Sequence, residues 1–220
     1  MSEIKAIIFD FDNTLVKSHI DFPSMKISMA QQAKKHGLDF GEEKEIPHKF
    51  TAGNIIEKVK EYDEQNGTNL ATQLWNLVEK FEREGMEDLT IDSDVFSLLE
   101  NLQNQGIILC LFTNNAKKPT LEVLQLHDMQ KYFQIIVARE DVLQMKPDSE
   151  GIDLILEKLD LKPEQVILVG DSWVDGKAAN NANVRFVLFR EEKLDQEKYG
   201  IEIWKHTNSI IDVLSIFKEE

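Results

Sequence analysis

Cysteine is almost missing: one residue, Cys110, in a chain of 220, so no internal disulfide can form. It lies in the apolar run "IILCLF" at 107–112, where a thiol packs as a small hydrophobe rather than reacting. That run is the longest clean apolar stretch, far short of the ~18 residues a membrane span needs. The start, "MSEIKAIIF", has neither the basic opening nor the extended apolar core of a signal peptide. These absences predict a cytoplasmic protein with no membrane partner. Positive charge is also scarce. Lys and Arg total 25 against 40 Asp and Glu, a formal net charge of −15, which argues against nucleic acid and anionic lipid as partners. An anionic small molecule remains possible, because a local site can be positive on an acidic surface. The five histidines are scattered and suggest no metal cluster, and there are no internal repeats or low-complexity tracts.

What is present is a core. Hydrophobic residues make up 42% and charged residues 30%, the balance of a globular chain. Five short apolar runs read as strands: 4–9, 107–112, 135–138 ("IIVA"), 166–169 ("VILV") and 185–189 ("RFVLF"). They lack strict alternation, as strands covered on both faces do. Helical segments separate the later runs. One is capped by Asp92 or Ser93 and stops at Gly106; others follow Pro119, begin near Ser149, span roughly 176–182, and run from about Ser209 to Phe217. The alternation predicts an α/β fold with a doubly wound, Rossmann-like parallel sheet. Residues 17–90 break the pattern. They show three amphipathic stretches interrupted at Gly37, Pro47 and Gly67 and no strand signal, and they are far too long for an ordinary crossover. The prediction is a core of 1–16 and 91–220 with an inserted helical domain at 17–90.

The chemistry gathers after the strands. In a parallel sheet, ligands bind beyond the carboxyl ends of the strands. The first strand ends in Asp10, Asp12 and Thr14, the second in Thr113 and Asn114; the third leads to Lys146 in "QMKPD", and the fourth ends in "GDSWVD" with Asp171 and Asp175. Singly, each has an ordinary reading: a chance acidic pair, a turn threonine, a solvated lysine, a helix N-cap cluster. Together they put four polar elements at four successive strand ends. Asp10 and Asp12 point the same way along an extended chain. Like charges so placed need a compensating cation.

The set resembles the haloacid dehalogenase superfamily, in particular its phosphatase branch with a helical cap, of the phosphoglycolate-phosphatase kind. The matching motifs are "DFDNT" at 10–14, "FTNN" at 112–115, "KP" at 146–147 and "GDSWVD" at 170–175. The resemblance implies a phosphoric monoester hydrolase acting on a small phosphorylated metabolite. It makes Asp10 the nucleophile that forms an aspartyl-phosphate, and Asp12 the general acid and base. Thr113, Asn114 and Lys146 would hold the phosphate. Mg²⁺ would be bound by the Asp10 carboxylate, the Asp12 carbonyl and Asp171, with Asp175 as ligand or helper. The family often has Gly where this chain has Asn13, and Asn tolerates the same backbone. The dehalogenase branch lacks an acid at position 12, so Asp12 favours phosphate chemistry. A phosphomutase would use the same aspartates. A phospho-acceptor signalling module shares the acidic cluster but is much shorter and has no place for the helical insert. In and beside that insert, Lys17, His19 and Lys26 are candidate anion contacts, although solvated charge is the plainer reading.

Overall fold

The computed structural model describes residues 3–216. Two compact units are present, one formed by the chain up to Ser18 together with the chain from Leu89 onward, the other by His19–Asp88.

Among the described residues of the first unit, six strands form one parallel sheet: β1 (Ala6–Phe9), β2 (Ile108–Phe112), β3 (Ile135–Val137), β4 (Val166–Gly170), β5 (Arg185–Phe189) and β6 (Lys205–Thr207). Their order is β3-β2-β1-β4-β5-β6, every neighbouring pair parallel. β1 and β4 are buried throughout, which is why their sequences are continuous apolar runs. Five strands are those anticipated. The sixth, "KHT", was missed: it is short, polar and at the edge, paired only to β5, so no apolar run marks it. The chain leaves β1 toward β2 and β3, then returns past β1 to β4. The β1–β4 boundary is therefore the switch point at which doubly wound sheets bind ligands.

The helices of this unit are α5 (Ser93–Asn104), α6 (Lys117–Leu126), α7 (Glu150–Leu159), α8 (Trp173–Asn181) and two short ones, α9 (Gln196–Tyr199) and α10 (Val213–Ile216). Asp92 caps α5 through its side chain, and Gly106 follows at φ 78°, so the start and stop signals act as written. α6 begins two residues before Pro119, which its first turn tolerates because N–H groups there have no helical partner. The last predicted helix is a 3-10 turn at Ile210–Asp212 followed by α10; its predicted end, Phe217, lies outside the described residues.

The second unit contains α1 (Phe22–Lys34), the single turn α2 (Ile46–Lys49), α3 (Ala52–Asn66) and α4 (Leu70–Met86). Met25, Met29, Ile55, Ile56, Val59, Leu70, Leu74 and Val78 make its core. A Thr51–Asn54 capping box starts α3, and Gly67 ends it in the left-handed conformation at φ 63°. The break expected at Pro47 carries α2. The unit is two residues shorter at each end than 17–90, because Lys17 and Thr90 pair backbone to backbone inside the first unit. No helix among the described residues is long and apolar enough to cross a membrane.

Candidate active site

β1 delivers Asp10 at its carboxyl end, where the Asp10 N–H still donates to the Val169 carbonyl at 2.9 Å. The chain then turns sharply. Leu15 and Val16 donate to the Phe11 carbonyl, and Asn13 takes φ 57°. That left-handed backbone suits Asn or Gly, which explains the residue found there. The turn brings Thr14 back so that its hydroxyl donates to Asp10 Oδ2 at 3.3 Å.

Lys146 is the hub. Its ammonium, almost fully buried, donates to Asp10 Oδ1 at 2.6 Å, Asp175 Oδ1 at 2.6 Å and the Phe112 carbonyl at 2.9 Å. Burial by itself lowers its pKa, but the Asp10 and Asp175 carboxylates more than reverse this and hold it above the usual ammonium range. Asn114 reaches the same loop in an unanticipated way. Its amide donates to the Lys146 carbonyl at 2.9 Å and accepts from the Lys146 N–H at 3.0 Å. The side chain expected from sequence to hold the phosphate here clamps the lysine's backbone.

The fourth strand end is shaped by a glycine. A Cβ on Gly170 would fall 2.6 Å from Asp175 Cβ and Cγ, so only glycine lets the Asp175 carboxylate lie against the strand. Ser172 and Asp175 form the capping box of α8; the Ser172 N–H donates to Asp175 Oδ2 at 3.1 Å and the Ser172 hydroxyl to the same oxygen. Asp171 stands beside it. One oxygen from each of Asp10, Asp171 and Asp175 lies within 4.8 Å of the others.

Burial raises the Asp10 carboxyl to about 7, against the pull of Lys146. It raises Asp171 to about 8, helped by repulsion from Asp175 and Asp10. Asp12 is raised too, chiefly by burial. Its Oδ2 accepts from the Asn115 amide, while Oδ1 has no hydrogen-bond partner; the nearby Ser18 hydroxyl favours the anion without reaching hydrogen-bond geometry. Thr113 is buried, and its oxygen accepts from the Asn115 N–H at 3.1 Å, leaving its hydroxyl proton free to donate. By contrast, the Cys110 thiol is pushed up to about 12 by burial and stays inert.

The sequence-identified residues Asp10, Lys146, Asp171 and Asp175 thus meet at one point. Two neighbours were missed. Asn115 is the second Asn of "FTNN". Arg190 directly follows β5, and its guanidinium Nη1 donates to the Asp171 carbonyl at 3.4 Å. A strand-end rule applied to the fifth strand as to the first four would have found Arg190.

Residues 7–189 match the model of the haloacid dehalogenase-like hydrolase family. The chain is 28% identical over 182 residues to the pyrophosphatase PpaX of Oceanobacillus iheyensis, covering 83% of this chain and 81% of that one. It is 29% identical over 189 residues to a phosphoglycolate phosphatase of Vibrio cholerae, covering 83% and 82%. Among solved structures, CbbY of Rhodobacter sphaeroides in complex with phosphate superposes with a TM-score of 0.63 at 20% identity, over 96% of both chains. A HAD-superfamily hydrolase of Geobacter sulfurreducens does so with a TM-score of 0.59 at 20% identity, over 97% of this chain and 99% of that one. These two show the fold. With the family's match running from β1 to the end of β5, the chain belongs to the haloacid dehalogenase-like hydrolases.

Proposed function

We propose that the protein is a Mg²⁺-dependent phosphatase that hydrolyses a small phosphorylated metabolite through a phosphoryl group carried on Asp10. The observation that carries this reading is the charge imbalance at the strand ends. Asp10, Asp12, Asp171 and Asp175 surround one ammonium that bonds to two of them. With its carboxylates ionised, such a cluster carries a net negative charge that a further cation would offset. Its donors are all oxygens, which suits a hard divalent ion.

Asp10 and Asp171 would hold the ion directly, with the Asp12 carbonyl. Asp175 has one oxygen on Lys146 and the other on Ser172, which suits it to orient the site. When bound, Mg²⁺ supplies charge neutralisation of the phosphate and aligns it for in-line attack. The chain's own residues do the rest. The Asp10 carboxylate, held by Lys146 and Thr14, attacks phosphorus. Asp12 gives its proton to the ester oxygen as the P–O bond breaks. Asp12 then takes a proton from water as that water displaces phosphate from Asp10. Thr113 and Lys146 donate to the phosphoryl oxygens. The relatives named as phosphatase and pyrophosphatase support phosphate chemistry, and the unit His19–Asp88 would choose the ester as a cap domain.

The test is phosphate release from p-nitrophenyl phosphate. Turnover should vanish in EDTA, return with Mg²⁺ and return poorly with Ca²⁺, whose looser coordination misplaces the nucleophile. Full turnover by verified metal-free protein would refute the assignment.

A further inference from the structure

Asn115, given no role by the motif it closes, is 4% exposed and fixed on three sides. Its N–H donates to Thr113 Oγ1 at 3.1 Å, its carbonyl accepts from the Arg139 N–H at 3.1 Å, and its amide NH₂ donates to Asp12 Oδ2. A free carboxyl has two equivalent oxygens and a broad terminal torsion. Asp12 has neither freedom. An amide NH₂ only donates, so Oδ2 must accept whether or not Asp12 carries a proton. Oδ1 is buried without a hydrogen-bond partner among the described residues, as is the nearby Ser18 hydroxyl, and is the carboxyl oxygen not already held. A buried unpartnered oxygen is costly and rare.

We infer that Asn115 is the positioning residue of the acid–base step: by holding Oδ2 it fixes the Asp12 carboxyl and makes Oδ1 the atom that delivers and receives the proton. The inference rests on the reading of Asp12 given above. In balance, the Asp10–phosphorus bond forms as the ester P–O bond breaks and the Oδ1 proton passes to the leaving oxygen. Water then bonds to phosphorus, its proton passes to Oδ1, and the Asp10–phosphorus bond breaks.

The experiment uses the Mg²⁺-loaded full chain with two esters. Phenyl phosphate has a leaving group that needs the proton; p-nitrophenyl phosphate has one that departs readily as an anion. For Asn115→Ala, kcat/KM for phenyl phosphate should fall about 10²-fold, and that for p-nitrophenyl phosphate less than about tenfold. With p-nitrophenyl phosphate, kcat and KM should fall together, because proton removal from water slows while phosphoryl transfer to Asp10 does not. Equal loss on both esters, or loss on neither, overturns the inference, since a mere packing defect does not discriminate leaving groups. Asn115→Leu keeps the shape and removes the donor; it should give the same selective loss and serves if the alanine variant does not fold. If neither folds, Asn115 is structural and the inference falls. Asp12→Asn run in parallel separates the two layers. If it fails to discriminate the esters, the acid–base reading of Asp12 is wrong; if it discriminates and Asn115→Ala does not, only the positioning role is lost.

Discussion

Among the described residues of His19–Asp88, the one buried polar or charged side chain is Glu82, whereas the sheet-bearing unit buries Asp10, Asp12, Thr14, Thr113, Asn115, Lys146 and Asp175 at one cluster of strand ends. The helical unit places its polar groups where they stabilise locally. Thr51 and Asn54 cap α3, and Lys58 lies 4.9 Å over the Phe50 ring and 5.3 Å over the Phe40 ring. The sheet unit instead buries several like charges together, an arrangement with a large desolvation and repulsion cost. One region is arranged for stability and the other keeps a strained electrostatic arrangement for chemistry. The contrast is falsifiable, since changes in the two regions should move stability and activity in different directions.

The largest effect is expected from Asp171→Asn. Activity should drop on the order of 10³-fold or more as a Mg²⁺ ligand is lost. Stability in EDTA should go the other way. Burial raises Asp171 from the ordinary 3.8 to about 8 in the folded chain, so between these pH values the folded state binds the proton more tightly than the unfolded one. Metal-free stability must therefore fall as pH rises through that window. The asparagine variant should lose part of that slope and exceed the parent at about pH 8 by more than about 1 kcal/mol. Denaturant unfolding in EDTA at about pH 5 and about pH 8 measures both. An asparagine variant less stable than the parent at the higher pH would break the contrast.

A smaller effect is expected from Lys26, whose ammonium is half-buried, lowered in pKa by that burial, and donates to the Pro47 carbonyl at 3.1 Å. If the helical unit selects the ester, Lys26→Ala should cost the preferred metabolite about 1–3 kcal/mol more in kcat/KM than p-nitrophenyl phosphate. Equal losses on both would remove Lys26 from specificity. The smallest effect is purely structural. Asp63 accepts from the Leu70 and Ala71 N–H groups at 2.9 and 2.8 Å, satisfying the start of α4. Asp63→Ala should destabilise the chain by about 1 kcal/mol, seen as faster amide exchange in α4, while p-nitrophenyl phosphate turnover in the folded protein stays unchanged.

The sheet was legible because strands buried on both faces are written as apolar runs; β6 was not, because an edge strand need not be apolar. Asp10, Asp12, Lys146 and Asp171 were legible because each follows a strand or sits in a short motif whose position the alternation fixes. What the sequence does not carry is pairing across distance. Nothing local says that Asn114 turns to the Lys146 backbone and Asn115 to Asp12, since adjacent residues at a strand end face opposite ways and only the folded partners decide which matters. The boundary at Ser18 rather than residue 16 was hidden for the same reason, as it depends on Lys17 meeting Thr90.

The central claim is that Asp10 carries the phosphoryl group. Intact-protein mass spectrometry after rapid mixing with p-nitrophenyl phosphate and Mg²⁺ tests it most directly, using Asp12→Asn to slow hydrolysis of the phosphoenzyme. The account predicts that Asp12→Asn gains the mass of one phosphoryl group, mapped to Asp10, and that Asp10→Asn gains none. A phosphorylated Asp10→Asn protein, or a phosphoryl group mapped to any other residue, would contradict it.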